Sequence, residues 1–425
     1  MRFRRSAFIA AGLLAASVAQ TASAQLLGDG GLLPIGERLG TVRHADSPDA
    51  ISGQYIVRLH PDAGPIATTV GRLLGLVGGT FIGELPIING AVVRLDGLSA
   101  RLLAGNPLVD YVEQDQRMSI TETASQTPAT WGLDRSDERQ RMLDNQYRYP
   151  ADGGAGTHIY IIDTGIRSTH EAFAGRVGGG RNFVVDTLDL PLIGGLLGGL
   201  LGNLLGIEPD PADFEDCNGH GTHVGGTAAG TTYGIAKSAT VYGVRVLGCS
   251  GSGPTSAIIA GIDWVAENAS MPAVANMSLG GGASTALDDA VRNAVAAGVV
   301  MVVAAGNDDA DACGGSPGRV DEAITVGSTT VNDDRSSFSN LGSCVDIFAP
   351  GSDITSAWHD GDAATNTISG TSMASPHVAG AAALLLDEAG DPAGVFDAIV
   401  ADATSGALSA IGAGSPNRLL YVRPE

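Results

Sequence analysis

THIYIID, residues 157–163, is a short β-branched run that stops on a carboxylate. It lacks the apolar–polar alternation of a strand with one wet face, so it reads as a strand buried on both sides. Five more runs share its character: TVYGVRVL 240–247, AVANMSLG 273–280, VVMVVAAGN 299–307, AITVGS 323–328 and VDIFAPG 345–351. Helical stretches lie among them: THVGGTAAG 222–230, SAIIAGIDWVAENA 256–269 and ALDDAVRNAVAAG 286–298. Buried strands separated by helices predict an α/β fold, three layers deep, with a mostly parallel sheet covered by helices on both faces. Such sheets bind ligands beyond the carboxyl ends of their strands. Asp163, Ser278 and Asn307 stand just there.

Upstream, the pattern differs. QYIVRL 54–59 and AVVRLDG 91–97 alternate as strands do, and PIATTVGRLLGLVG 65–78 and SARLLAGN 99–106 read as helices. TFIGEL 80–85 adds a short strand and DYVEQDQRMSI 110–120 extends outward. The order predicts a small ferredoxin-like α+β unit over 51–123. Residues 25–50 are a Gly/Leu-rich linker. Ahead of them, MRFRR, an apolar run and Ala22-Ser23-Ala24 form a secretory signal over 1–24, and the apolar run is short for a transmembrane anchor.

A secreted chain permits disulfides. The four cysteines allow three connectivities; two local loops, Cys217–Cys249 and Cys313–Cys344, are preferred over crossed pairs or free buried thiols. The net charge of −22 is uneven: residues 1–123 sit near −1 and 124–425 near −21. So acidic a body excludes nucleic acid and anionic membranes as partners.

The segment GTSMASPHVAG 370–380 leads into the apolar helix AGAAALLL. Its hydroxyls read either as an N-cap or as a nucleophile at a helix N-terminus. Asp163, His220 of HGTH and Ser372 supply the carboxylate, imidazole and hydroxyl that such a nucleophile needs. Asn307 and the Ser372 backbone N–H could bind an oxyanion. IIDTGI, NGHGTHVGGTAAG, NMSLGG, AAGN and GTSMASPHVAGAAALLL, in that order, resemble the subtilisin-like serine proteases, peptidase family S8, and within them the proteinase K and aqualysin branch. The resemblance covers nearly all of 124–425, as the catalytic domain. It implies a broad serine endopeptidase in which Asp163 orients His220, His220 is the base and Ser372 the nucleophile. His223 and His377 are read as structural.

The resemblance further implies that Ser250, Gly251, Ser252 and Gly253 on one edge, and Ser278, Leu279 and Gly280 on the other, bind an extended peptide. Ala304, Ala305 and Gly306 would line the first pocket. No acidic residue stands in these segments, so an apolar or aromatic P1 residue is expected. Relatives carry calcium at positions matching Asp134, Asp137, Asp144 and Asp346, although a glutamate, Glu138, replaces an amide; the plain alternative is a solvated acidic loop. The small unit is similar to the inhibitory propeptide of these proteases. Its tail, VEQDQRMSITET, would lie through the active site until cut before Ala124, and a monomer acting on protein and peptide substrates is expected.

One block departs from the family. Residues 187–211 carry an apolar insertion, in which Leu190 to Ile207 hold no charge and glycines 194, 198, 202 and 206 recur every fourth residue. It reads either as a mobile loop or as an apolar hairpin or lid, with 188–208 available to a hydrophobic partner. A catalytically dead binding protein on the same fold is opposed by the intact Asp163, His220, Asn307 and Ser372. A lipase is opposed by the missing G-x-S-x-G elbow.

Overall fold

The computed structural model describes residues 39–45, 47, 50–116, 123–185 and 209–424. The proposed signal, the tail 117–122 and nearly all of the apolar insertion lie outside them. The chain forms two compact units that divide between residues 118 and 119.

The first unit contains β1 (Val42–Arg43), β2 (Ala50–Leu59), α1 (Ile66–Val77), β3 (Thr80–Leu85), β4 (Gly90–Arg94), α2 (Gly97–Ala104) and β5 (Val109–Gln116). Its sheet order is β1-β5-β2-β4-β3, antiparallel except where β1 joins β5. Taken as β2-α1-β3-β4-α2-β5, this is the ferredoxin-like arrangement. Val57, Leu59, Val93 and Val112 from the strands meet Val70, Leu73 and Leu103 from the helices in its core. Asp96 caps α2 by accepting the Ser99 N–H at 2.8 Å.

In the second unit, β6 (Thr123–Gln126), α3 (Trp131–Ser136) and β7 (Tyr147–Pro150) precede the main sheet. That sheet draws on β8 (His158–Asp163), β9 (Val177–Asn182), β10 (Thr240–Arg245) and β11 (Ala273–Met277), with α4 (His220–Ala229) before β10 and α5 (Thr255–Asn268) after it. There follow β12 (Gly281–Gly282), α6 (Thr285–Ala296), β13 (Val300–Ala304), β14 (Gly315–Ser316), β15 (Ile324–Thr329) and β16 (Ile347–Pro350). The hairpin strands β17 (Ile354–Ala357) and β18 (Thr365–Ile368), helices α7 (Thr371–Ala389) and α8 (Pro392–Asp402), and strands β19 (Thr404–Ser405) and β20 (Arg418–Leu419) complete it. The order is β9-β10-β8-β11-β13-β15-β16-β20-β19, parallel except at the β19–β20 edge.

The unbroken apolar runs have the expected cause. Along β8, Ile159 and Ile161 enter one core with Val224 and Ala228 of α4 and Val378 and Ala382 of α7. Tyr160 and Ile162 enter the opposite core with Ile262 and Val265 of α5 and Val291 of α6. Alternate residues thus serve two buried layers. The helices of the first layer run close: a methyl group on Gly380 would stand 2.6 Å from both the Ala228 carbonyl and the Ile235 side chain.

Strand β8 has β10 on one side and β11 on the other. The chain reverses its progress across the sheet between these two neighbours, which makes the carboxyl end of β8 the switch point where parallel sheets open a crevice. Asp163 is the last residue of β8.

Candidate active site

Asp163 is fully buried. Its Oδ1 accepts the Thr164 N–H at 2.7 Å, and its two oxygens lie 2.8 and 2.9 Å from His220 Nδ1. That contact makes Nδ1 the protonated nitrogen and leaves Nε2 as an acceptor. Burial pushes the His220 pKa down, but the charge of Asp163 and its hydrogen bond outweigh this, with Asp216 adding to them, so the net shift is upward.

His220 opens α4 after a turn at Gly219, where φ is +107°. A side chain there would also strike Trp358 at 2.5 Å. Asp216 shapes this turn. It accepts the N–H groups of Asn218, Gly219 and Thr222 and the hydroxyls of Thr164 and Thr222, at 2.6 to 2.9 Å. Sequence reasoning passed over Asp216; its signal was an acidic residue just ahead of a helix start.

Ser372 lies in the first turn of α7, where backbone donors lack intrahelical acceptors. Its hydroxyl donates to the Ser278 carbonyl at 3.2 Å, and the Ser278 hydroxyl donates to the Ser372 carbonyl at 2.7 Å. The second bond has a covalent cause. Residue 376 is proline, so the Ser372 carbonyl has no i+4 N–H to bond. Ser278 fills the vacancy, supported by Asn276 Nδ2 at 2.9 Å, whose Oδ1 accepts the Ser375 hydroxyl at 2.7 Å.

Asn307 follows β13. Its Oδ1 accepts both the Thr371 N–H (2.8 Å) and the Thr371 hydroxyl (2.9 Å). With Oδ1 so engaged, the amide N–H₂ is the group left to face a substrate.

Two cavities meet here. One, of about 620 Å³, is lined by Leu279–Gly282, Ala304–Asp308 and Gly314–Ser316 among others, and reaches Asn307 and Ser372. The other, of about 310 Å³, is lined by His220, Asn218, Gly251–Gly253 and Ser278–Gly280. Leu279 and Gly280 border both. Ser250 lines neither and bonds to Ser252 at 2.9 Å. The segments 250–253, 278–280 and 304–306 hold no acidic residue; the wall of the larger cavity extends beyond them and includes Asp308 and Asp311.

Cys217 joins Cys249, and Cys313 joins Cys344. The first disulfide ties the turn before His220 to the loop carrying Gly251–Gly253, and Asn218 Nδ2 adds a bond to the Cys249 carbonyl at 2.9 Å. His223 and His377 are buried and bond the carbonyls of Ile354 and Met373. Burial pushes each to a pKa of about 4.

The expected calcium ligands do not converge. Asp134 spends both oxygens on the Asp144 and Asn145 N–H groups. Asp137 and Asp144 are gathered, with Glu138, onto the Arg148 guanidinium. Asp346 stands apart and accepts the Thr325 N–H at 2.9 Å. Its pKa rises to about 6 through burial. Among the described residues, no group of three or more His, Cys, Asp or Glu side chains could hold a metal ion.

The description "Subtilase family" matches residues 154–414. An extracellular serine proteinase of Thermus sp. (strain Rt41A) is 46% identical over 399 residues, 88% of this chain and 91% of its own length. Alkaline serine exoprotease A of Vibrio alginolyticus is 51% identical over 340 residues, 79% of this chain and 58% of its own. Among solved structures, a cold adapted subtilisin-like serine proteinase matches with a TM-score of 0.61 and 50% identity, covering 69% of this chain and 98% of that one.

Proposed function

The chain belongs to the subtilase family and is a subtilisin-like serine protease; from that premise we propose that Ser372, His220, Asp163 and Asn307 carry the reaction in a secreted endopeptidase. His220 Nε2 takes the Ser372 proton as Oγ attacks the scissile carbonyl carbon. The resulting oxyanion receives hydrogen bonds from the Asn307 N–H₂ and the Ser372 backbone N–H. His220 then gives its proton to the leaving amine, and water hydrolyses the acyl-enzyme by the same steps in reverse. The single observation that carries this reading is the Asp163–His220 pair at 2.8 Å, set at the carboxyl end of β8.

An extended substrate would lie between the 250–253 and 278–280 segments, with its P1 side chain in the larger cavity. That cavity is wide because Gly281, Gly282 and Gly314 have open space where a side chain would stand. Its Ala304 and Ala305 walls favour apolar and aromatic P1 groups. Asp308 and Asp311 extend the range to Lys and Arg. The carboxylate of Asp308 makes no ion pair among the described residues, so it is free to meet a cation. The first unit is read as an intramolecular inhibitor released by cleavage before Ala124, and Asp346 as the carboxylate that would hold a structural calcium ion. No described helix is long and apolar enough to cross a membrane.

The test uses Ser372→Ala and Asp308→Asn with casein and a panel of peptide anilides. Ser372→Ala should lower turnover by roughly 10⁶-fold, the size recorded for the homologous change in subtilisin. Asp308→Asn should lower kcat/KM for Arg and Lys anilides while leaving Phe unchanged. Retained turnover in Ser372→Ala overturns the mechanism, whereas an equal effect of Asp308→Asn on all anilides overturns only the specificity.

A further inference from the structure

The loop between α3 and β7 gathers Asp137, Glu138 and Asp144 around one side chain, Arg148 of β7. Arg148 Nη1 lies 3.2 Å from Asp137 Oδ2 and 3.1 Å from Glu138 Oε1, and Nη2 pairs with Asp144 Oδ2. The Arg148 backbone N–H also donates to Asp137 Oδ2 at 2.9 Å. Asp137 is wholly buried, while the guanidinium is about one-third exposed.

We infer that Arg148 is a built-in cation for this loop, taking the place of a bound divalent ion among Asp137, Glu138 and Asp144, so that the N-terminal part of the catalytic unit folds here without calcium. Calcium requires about six to eight oxygens at roughly 2.3–2.6 Å, turned toward one point. Here the carboxylates are turned toward N–H donors instead. Asp134 accepts the N–H of Asp144 and of Asn145, and Asp144 Oδ1 accepts that of Gln146 at 3.0 Å. Asp137 Oδ1 is the one buried oxygen of the group left without a partner; with Glu138 Oε2, whose neighbour Oε1 alone meets Arg148, that makes two carboxylate oxygens, short of a coordination shell. A planar guanidinium suits three carboxylates on different sides because its five donors lie in a fixed fork. Glu138 fits the same logic: a further acidic group beside Asp137 and Asp144 favours a guanidinium, which stays protonated at every working pH. None of this depends on which residues perform catalysis.

The test measures calcium binding in the full, secreted protein, treated with phenylmethanesulfonyl fluoride to prevent self-digestion. Terbium luminescence excited through tyrosine reads the site, since Tyr147 and Tyr149 flank Arg148. Wild type should give no terbium signal that depends on Asp144. Arg148→Thr should have a lower Tm in chelator, gain a several-fold terbium signal and show a larger rise in Tm with calcium than wild type does. Arg148→Lys should fall between the two in chelator. Any calcium held near Asp346 cancels, because the increments are compared with Asp346 intact in every variant. The inference is overturned if Arg148→Thr gains neither signal nor increment. Should Arg148→Thr fail to fold, Asp144→Asn with Arg148 in place decides: an unchanged calcium increment supports the inference, and a reduced one overturns it.

Discussion

Asn307 is poised by what it has already bonded. With Oδ1 held by the Thr371 N–H and hydroxyl, its amide donor needs no reorganisation when negative charge develops, the condition under which such donors are worth most. Asn307→Ala should therefore lower kcat by roughly 10²–10³-fold with little change in KM; stopped-flow burst and steady-state kinetics separate the two, and a pure KM effect would contradict the role. His220 gives a second prediction. It must be neutral to act as base, and its pKa is raised by the Asp163 charge against the opposing pull of burial, with Asp216 contributing. The acid limb of kcat/KM should thus have its midpoint above the ordinary imidazole value of about 6.5. Asp216→Asn should move that midpoint down, a change that loss of packing alone would not produce. Asp163, His220, Asn307 and Ser372 could be named as candidates because their motifs occur in the order that resembles the subtilisin-like proteases, and the fold pairs Asp163 with His220 at 2.8 Å. Asp216 was passed over, since its only signal was an acidic residue ahead of a helix start, and the five donors that converge on it from residues 164 to 222 are gathered by the fold.

At the level of elements, the nucleophile's helix is joined to β11 by a defect. Pro376 withholds an N–H from the Ser372 carbonyl, and the Ser278 hydroxyl supplies the missing donor at 2.7 Å. Ser278→Ala would remove the donor from that part-buried carbonyl, at a cost of about 1–3 kcal/mol. Urea unfolding should show the loss, accompanied by a lower kcat as the first turn of α7 loosens. Adding Pro376→Ala restores an i→i−4 bond, so the double variant should recover much of the stability without recovering turnover. Additive losses in both would show that the proline and the serine are unconnected. The buried strands β8, β10, β11, β13, β15 and β16 were read correctly from apolar runs. Strand β9, VGGGRN, was not foreseen: it has hardly any apolar side chains and exists because β10 offers it an edge. Strand order likewise escaped the sequence, because pairing partners lie up to about a hundred residues apart, as His158 and Ala273 do.

Across the whole molecule, composition set the acidic charge but hid how one exception is handled. Lys237 is the only lysine in the chain, and it is buried, donating to the Thr231 carbonyl at 3.2 Å with its Nζ 5.3 and 5.5 Å from the Tyr147 and Tyr149 rings. Burial, reinforced by the Arg176 charge, lowers its pKa to about 7 from 10.5. The unfolded chain therefore binds one more proton than the folded one between pH 7 and about 10.5. Stability from this group rises with pH across that window, and below pH 7 the full penalty of burying a protonated amine is present. Tyr147 works the other way at the top of the range: burial raises its pKa well above 10, so the folded state holds a proton that the unfolded state loses, and stability falls above about pH 10. Denaturant midpoints of the inhibited enzyme should climb from pH 7 to 10 and then turn down. Lys237→Met removes the charge and keeps the apolar stem, so its midpoint should exceed wild type most at pH 7 and the gap should close by pH 10. A gap that stays constant across that range would mean that Lys237 remains protonated in the fold and that its rings and carbonyl compensate fully for its burial.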